Sequence, residues 1–410
     1  MGEERRPATS RRRLLAGSAA GLAVGGAGGF WAGTRPTDEP RTTPGAPAAA
    51  AGVETADGRG LPVPAAGPRQ AGVDRPATPP RQLSFVVLGE RAGTPLDRAG
   101  IAALLAGLGD EIRTLTASEA PDPRMPDGPG NLTVQVGIGA AWADLAETGL
   151  GDRVRLPTFR GSDALPGDLR DGDLVLAVAA DDPALPDHVV DLLLTGMTGP
   201  TAPAGLRVLW AQRAFRSPGS GAVVRNPLGF RDGIIQPADA AAMDDSVWIA
   251  EGPAAGGTIG VVRRFSLDAA AFGTLDAEEQ AAVIGRRPDG TPLSGGDPDG
   301  DVDLTAKTPH GEYLVPADSH ARAAHPSFTG SPLMARRSYA IRVDGDGTAP
   351  RPGLLFWSFQ NDVGVFARTQ QRMDRVDRLM DFAAPTAELG YLVLPGFTAD
   401  RPLGAGLFGT

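Results

Sequence analysis

"NLTVQVGIG", Asn131–Gly139, places Leu132, Val134, Val136 and Ile138 at every second position. That period predicts a strand with one face on a core and the other toward water. What surrounds it decides the fold class. Upstream, "LSFVVLG" (Leu83–Gly89) is a short apolar run bounded by turn residues, hence another strand. Between the two, "DRAGIAALLAGLGDEIRTLTA" sets Ile101, Leu104, Leu105 and Leu108 at helical spacing. Downstream, "GDLVLAVAADD" (Gly172–Asp182) and "GLRVLWAQRAF" read as strands, with "PDHVVDLLLTG" as a helix between them. The second half is alike, with strand "GTIGVVRRFSL", helix "DAEEQAAVIGR", strands "RRSYAIRV" and "GLLFWSFQ", and helix "TQQRMDRVDRLMDF". Strand and helix do not alternate regularly. The pattern predicts two similar α+β halves, each an antiparallel sheet with helices on one face.

Composition narrows the chemistry. The 410 residues are 41% hydrophobic and 21% charged, enough to form one or two domains with real cores. A net charge of −10 argues against a nucleic-acid partner, because phosphate binding needs basic surface. No cysteine is present, which excludes thiolate catalysis, disulfides and thiolate-bound metals. A borderline metal must therefore use one of four histidines, His188, His310, His320 and His325.

The chain starts with an address. In "TSRRRLLAGSAAGLAVGGAGGFWAG", from Thr9, a basic cluster precedes a Gly/Ala-rich run too short and too glycine-rich to span a membrane. Ser10-Arg11-Arg12-Arg13-Leu14-Leu15 is similar to a twin-arginine export signal, whose pathway carries proteins already folded and often with a cofactor aboard. Residues 1–35 are thus expected to be the signal, and the protein to be extracellular, in the cell envelope or periplasmic. Residues 36–81, rich in Pro, Ala, Gly and Thr without apolar period, are expected to be a disordered linker, with order beginning near Gln82.

Three stretches of the second half carry candidate chemistry. "NPLGFRDGIIQP" (Asn226–Pro237) puts Arg231 and Asp232 in an apolar turn whose glycines allow close backbone approach to something flat or bulky; Asp232 could equally cap the turn. "DSHARAAHPSF" (Asp318–Phe328) holds His320 and His325, five apart, a poor helical ligand pair and too few ligands for zinc. One neutral imidazole, however, suffices as the axial ligand of a haem iron. "MARRSYAIRV" (Met334–Val343) opens a strand with Arg336 and Arg337, which could be a solvated pair at a strand end.

Taken together these stretches resemble the dye-decolourising peroxidases, and in particular their exported, twin-arginine branch with the deferrochelatase/peroxidase proteins. "GFRDG", a "SHxR" histidine and an "RRxY" arginine sixteen residues after it carry the likeness. "LTVQVGIG", "GDLVLAVAADDP", "LRVLWAQRAF", "GGTIGVVRRF", "EEQAAVIGRRPDGTPL", "GLLFWSFQ" and "VLPGF" extend it from about Gln82 to Leu407. The resemblance implies two ferredoxin-like domains in a dimeric α+β barrel-like arrangement, residues 82–224 and 225–410, the second holding one haem b per chain. It implies hydrogen peroxide as oxidant and a small or surface-docked reductant.

It also implies roles. Asp232 would be the distal acid–base residue and Arg336 the distal cation. His320 would be the proximal ligand, bonded through its other ring nitrogen to a carboxylate. Gly233, Ile234, Ile235, His325, Pro326 and Ser327 would touch the haem, with Arg263 or Arg264 a propionate partner and Arg231 a structural or surface residue. The family usually carries Asn where His325 stands, so this second histidine is either an alternative ligand or a propionate contact; "YLVLPGF" departs from the usual double proline. Electrons from a bulky phenol or dye would pass through a surface aromatic, with Trp248, Trp357, Tyr313, Tyr339 and Tyr391 as candidates. Release of iron from haem, as suggested for relatives, is the alternative activity. A non-catalytic tetrapyrrole binder is a third reading, against which Asp232 and Arg336 together argue. Export machinery and a homo-oligomeric partner complete the expected contacts.

Overall fold

A computed structural model describes residues 59–119, 122–147, 149–195, 197–198, 205–218, 221, 223–344 and 349–409. The expected export signal lies outside them. In the first half, β1 (Gln82–Glu90), α1 (Arg98–Leu115), β2 (Thr133–Ile138), α2 (Ala140–Ala146), β3 (Leu174–Ala180), α3 (Leu185–Thr195) and β4 (Leu206–Phe215) follow in order. The strands lie side by side as β4-β1-β3-β2, all antiparallel. After a hairpin of β5 (Val224–Arg225) and β6 (Arg231–Asp232) and helix α4 (Ala240–Ser246), the pattern returns. It runs through β7 (Thr258–Leu267), α5 (Ala269–Phe272), α6 (Ala277–Ile284), α7 (His320–Ala323), β8 (Ala335–Arg336), β9 (Tyr339–Val343), β10 (Arg351–Gln360), α8 (Val363–Val376) and β11 (Ala383–Val393), with α9 (Ala405–Phe408) at the end. The four long strands order as β11-β7-β10-β9. Both halves therefore have the ferredoxin-like order 4-1-3-2, as the resemblance implies.

The two sheets join edge to edge into an eight-stranded ring. The seams are thin. Only Leu392↔Ile138 and Val393↔Gly137 pair β11 with β2, and only Ala214↔Ile341 and Phe215↔Ala340 pair β4 with β9. Closure explains why β2 is buried on both faces rather than half-buried, as its alternation predicts. Val134, Val136 and Ile138 face the outer helices with Ile101, Leu105 and Ile112 of α1. The ring's interior is aromatic. Phe85 stacks on Trp210 at 5.5 Å and meets Trp357 edge-on at 5.8 Å, contacts that each stabilise by about 0.5–1.5 kcal/mol beyond burial. Trp357 Nε1 donates to Tyr391 Oη at 2.6 Å, and Tyr391 Oη donates to Gln135 Oε1 at 3.2 Å, a polar chain within this interior. The Tyr391 ring lies against two glycines. A Cβ on Gly137 or Gly260 would come within 2.3 or 2.4 Å of it.

The expected disordered linker is corrected for residues 59–81. They form neither helix nor strand, yet Val63, Ala65, Gln70, Ala71 and Val73 are buried. Gln70 fills the β2–β11 seam. Its Nε2 donates to Val136 O and Leu394 O, both at 2.8 Å, and its Oε1 accepts from Val136 N at 2.9 Å. At the other seam Tyr339 Oη donates to Pro80 O at 2.8 Å, and the buried Arg337 guanidinium donates to Pro76 O. The segment is a strap from one seam to the other. Isolated backbone bonds, such as Gly67 N to Phe397 O at 2.9 Å, add to these side-chain anchors, and none leaves a periodic mark in the sequence.

Candidate active site

The hairpin is built before the site it serves. Asn226 closes it: its side-chain oxygen accepts from Leu228 N and Phe230 N, and its backbone N donates to Phe230 O at 2.8 Å. Phe230 drives into a small core with Phe272, Val283 and Ile284. Arg231 and Asp232 follow this anchor directly as β6. Gly233 follows with φ +80°, a conformation that favours glycine, and its N donates to Asp232 Oδ1 at 2.6 Å.

His320 is the first residue of α7. Gly285, at the end of α6, makes its position possible: a Cβ there would lie 2.9 Å from Ala321 Cβ and 3.0 Å from Ser319 Oγ. Helix α8 ends at Val376, short of the predicted end in "DRLMDF", because Asp377 leaves the helix with ψ 111°. Released from the helix, the buried Asp377 accepts from Leu379 N through Oδ1 and lies 2.7 Å from His320 Nδ1 through Oδ2. The proton is thereby placed on Nδ1, and the Nε2 lone pair is free for a ligand. Burial opposes the charged imidazole, but Asp377, aided by Asp232, outweighs it and holds the His320 pKa above the ordinary value.

His320, Asp232 and Arg336 line one cleft. Gly233, Ile234, Ile235, His325 and Pro326 line it too. Ser327 does not. Its N donates to His325 Nδ1 and its Oγ lies 2.7 Å from the same atom, so it orients the imidazole from behind. With Nδ1 accepting, His325 Nε2 carries the proton and donates to Asp301 Oδ2 at 3.0 Å, which leaves no lone pair for a metal. His188 bonds Arg124 O, His310 is exposed, and neither lines the cleft.

Two expectations need correction. Arg263 is buried in the sheet with Glu388 at 2.9 Å, and Arg264 bonds Thr386 on the neighbouring strand; neither reaches the cleft. The cations that do are Arg231, Arg286 and Arg336. Arg286 is the one that sequence reasoning misses: it is buried, burial lowers its pKa, and its Nη1 donates to Gly290 O. It lies in "EEQAAVIGRRPDGTPL", where nothing distinguishes it from Arg287. Arg231 pairs with Asp299 and donates to Asp289 O, the structural part expected of it. Among the five aromatic candidates for a surface contact, Trp248, Trp357, Tyr339 and Tyr391 are at most 2% exposed, whereas Tyr313 is 46% exposed between Arg322 and Lys307.

An imidazole with a free lone pair, and an acid and a cation contributed by other elements, thus meet in the same cleft. Comparison with known proteins supplies the family. The family model described as Dyp-type peroxidase, C-terminal, matches residues 224–398. The dye-decolorizing peroxidase of Thermobifida fusca (strain YX) is 34% identical over 254 residues, 57% of each chain, so the match spans a little over half of that relative's length. The crystal structure of a DyP-type peroxidase from Streptomyces coelicolor superposes with a TM-score of 0.74 at 31% identity, covering 84% of this chain and 96% of that one. Ferric DtpA from Streptomyces lividans gives 0.73 at 30%, covering 84% and 96%. The chain belongs to the DyP-type peroxidase family, whose members are haem enzymes.

The cleft's residues fit a haem. His320 offers an unencumbered Nε2. Arg336 Nε is buried with no hydrogen-bond partner, and Arg286 is a desolvated cation suited to a carboxylate. Among the described residues no cluster of three or more His, Cys, Asp or Glu could hold a metal ion by itself, so a metal here would need a ligand frame of its own.

Proposed function

We propose that this protein is a haem b peroxidase, one haem per chain, which reduces hydrogen peroxide and oxidises bulky phenols, dyes or similar reductants. The observation that carries this reading is the convergence of the Asp377-bonded His320 with Asp232 and Arg336 on one cleft. His320 would hold the iron through Nε2, with Asp377 fixing the tautomer and raising the basicity of the ring. Arg286, the desolvated cation of the cleft, would hold a propionate. When bound, the haem supplies the electrons that cleave the peroxide O–O bond. Asp232 would accept the proton from the near oxygen of peroxide and return it to the far one. Arg336 would polarise the peroxide and offset the negative charge that develops as the bond breaks. Histidine is a common choice for that proton transfer, and here the Asp232 carboxylate would take its place. A reductant too large for the cleft would dock at the surface, and Tyr313 is the candidate aromatic it could touch.

Stopped-flow mixing with hydrogen peroxide tests the assignment. Asp232→Asn should slow the reaction with peroxide by roughly 10²–10⁴-fold, the range for a positioned acid–base group, while haem stays bound. Arg336→Leu should slow the same step. Wild-type rates in Asp232→Asn would reduce the aspartate to a turn residue.

A further inference from the structure

The acid and the cation of the cleft stand 104 residues apart in sequence, Asp232 and Arg336. No sheet ladder joins them. Strand β6, which carries Asp232, pairs only with β5 in a separate two-stranded sheet, and β8, which carries Arg336, pairs only with β10. Something else must set their spacing. Gln236, four residues after Asp232, is placed to do so. It does not line the cleft. Its Nε2 donates to Gly233 O at 2.9 Å, and its Oε1 accepts from Arg336 N at 2.8 Å. A third bond supports the link, from Arg336 Nη2 to Ile235 O at 3.2 Å.

The chemistry of the bridge is specific. The Gly233 carbonyl needs a donor and the Arg336 amide needs an acceptor, and a carboxamide supplies both from one planar group. Glutamate supplies only the acceptor, leucine neither, and asparagine is one methylene short. The amide therefore ties the turn that follows the acid to the backbone of the cation. We infer that Gln236 is a positioning residue that holds Asp232 and Arg336 in register across the cleft. The inference rests on the peroxidase reading given above.

The test compares Gln236→Leu and Gln236→Glu with the wild-type holoprotein. Four quantities are read: haem stoichiometry, melting temperature, affinity of the ferric protein for sodium fluoride, and the rate of reaction with peroxide set against the KM for a phenolic reductant. Fluoride is an anion whose retention depends on hydrogen-bond donors such as Arg336. Gln236→Leu should keep haem at wild-type stoichiometry, bind fluoride roughly tenfold more weakly, and react with peroxide roughly 10²-fold more slowly. Its KM for the reductant should not change. Gln236→Glu keeps the acceptor for Arg336 N and should fall between the two. Should Gln236→Leu fail to retain haem, the glutamate variant decides by the same readouts.

Wild-type fluoride affinity and peroxide rate in a haem-loaded variant would overturn the inference. So would losses that merely follow the melting temperature across the two substitutions. If Asp232→Asn and Arg336→Leu also left the peroxide rate unchanged, the peroxidase roles themselves would fail. If those two slowed it and the Gln236 variants did not, only the positioning role would.

Discussion

His320 and His325 carry the same side chain five residues apart, and their neighbours give them different chemistry. Asp377 accepts a hydrogen bond from His320 Nδ1 and leaves its Nε2 open, whereas Ser327 and Asp301 occupy both nitrogens of His325. His320→Ala should therefore shift the Soret band of protein reconstituted with haem, and His325→Ala should leave it in place. Retention of an unaltered Soret band in His320→Ala would move the ligand elsewhere. Asp232, Arg336 and His320 are legible in the sequence because each stands in a short local motif. Asp377 and Arg286 are not. Asp377 reaches His320 only because a helix ends one residue before it, 57 residues downstream. Arg286 enters the wall through the turn after α6, and an arginine beside another arginine gives no hint which of them is buried.

Among the elements, the alternation in "NLTVQVGIG" identifies β2 but hides its second buried face. Thr133 and Gln135 look like the solvent side of an ordinary strand, and ring closure makes them interior. Similarly, the absence of period in residues 59–81 suggests disorder, while the segment is held by side-chain bonds to backbone at two seams. Gln70 is the strongest of these anchors because it stands where ladder pairing gives out. Gln70→Ala would leave Val136 N buried without a partner and weaken the satisfaction of two carbonyls. The expected loss is about 3 kcal/mol, given that each buried polar group left unsatisfied costs about 1–3 kcal/mol. Urea unfolding would show it as a lower midpoint with an unchanged slope. An unaltered midpoint would mean that water replaces the amide at no cost. The helix predicted over "TQQRMDRVDRLMDF" begins six residues earlier, at Val363, where Asp362 accepts from Gly364 N as its cap.

At the scale of the whole molecule, the likeness of the two halves in the strand pattern becomes the same 4-1-3-2 order in space, with no residue-level repeat needed to produce it. The cleft is assembled from residues spread between Arg231 and Thr369, so it exists only after the second half has folded. We propose that haem is taken up on that folded chain and that export follows by the twin-arginine route. Replacing Arg11 and Arg12 together by Lys keeps the charge and removes both guanidinium groups. The variant should stay in the cytoplasm, folded and haem-loaded, as cell fractionation with a haem stain would show; normal export would contradict the address read from the sequence.

The ring's interior also constrains how such a sequence can vary through descent. Tyr391 from one half fills the space that Gly137 of the other half and Gly260 of its own leave open. A lineage that acquires alanine at either glycine meets the aromatic ring at once, and one that shrinks the ring empties a space both glycines border while depriving Trp357 of its acceptor. Packing therefore couples the three positions, although they lie on three strands and up to 254 residues apart.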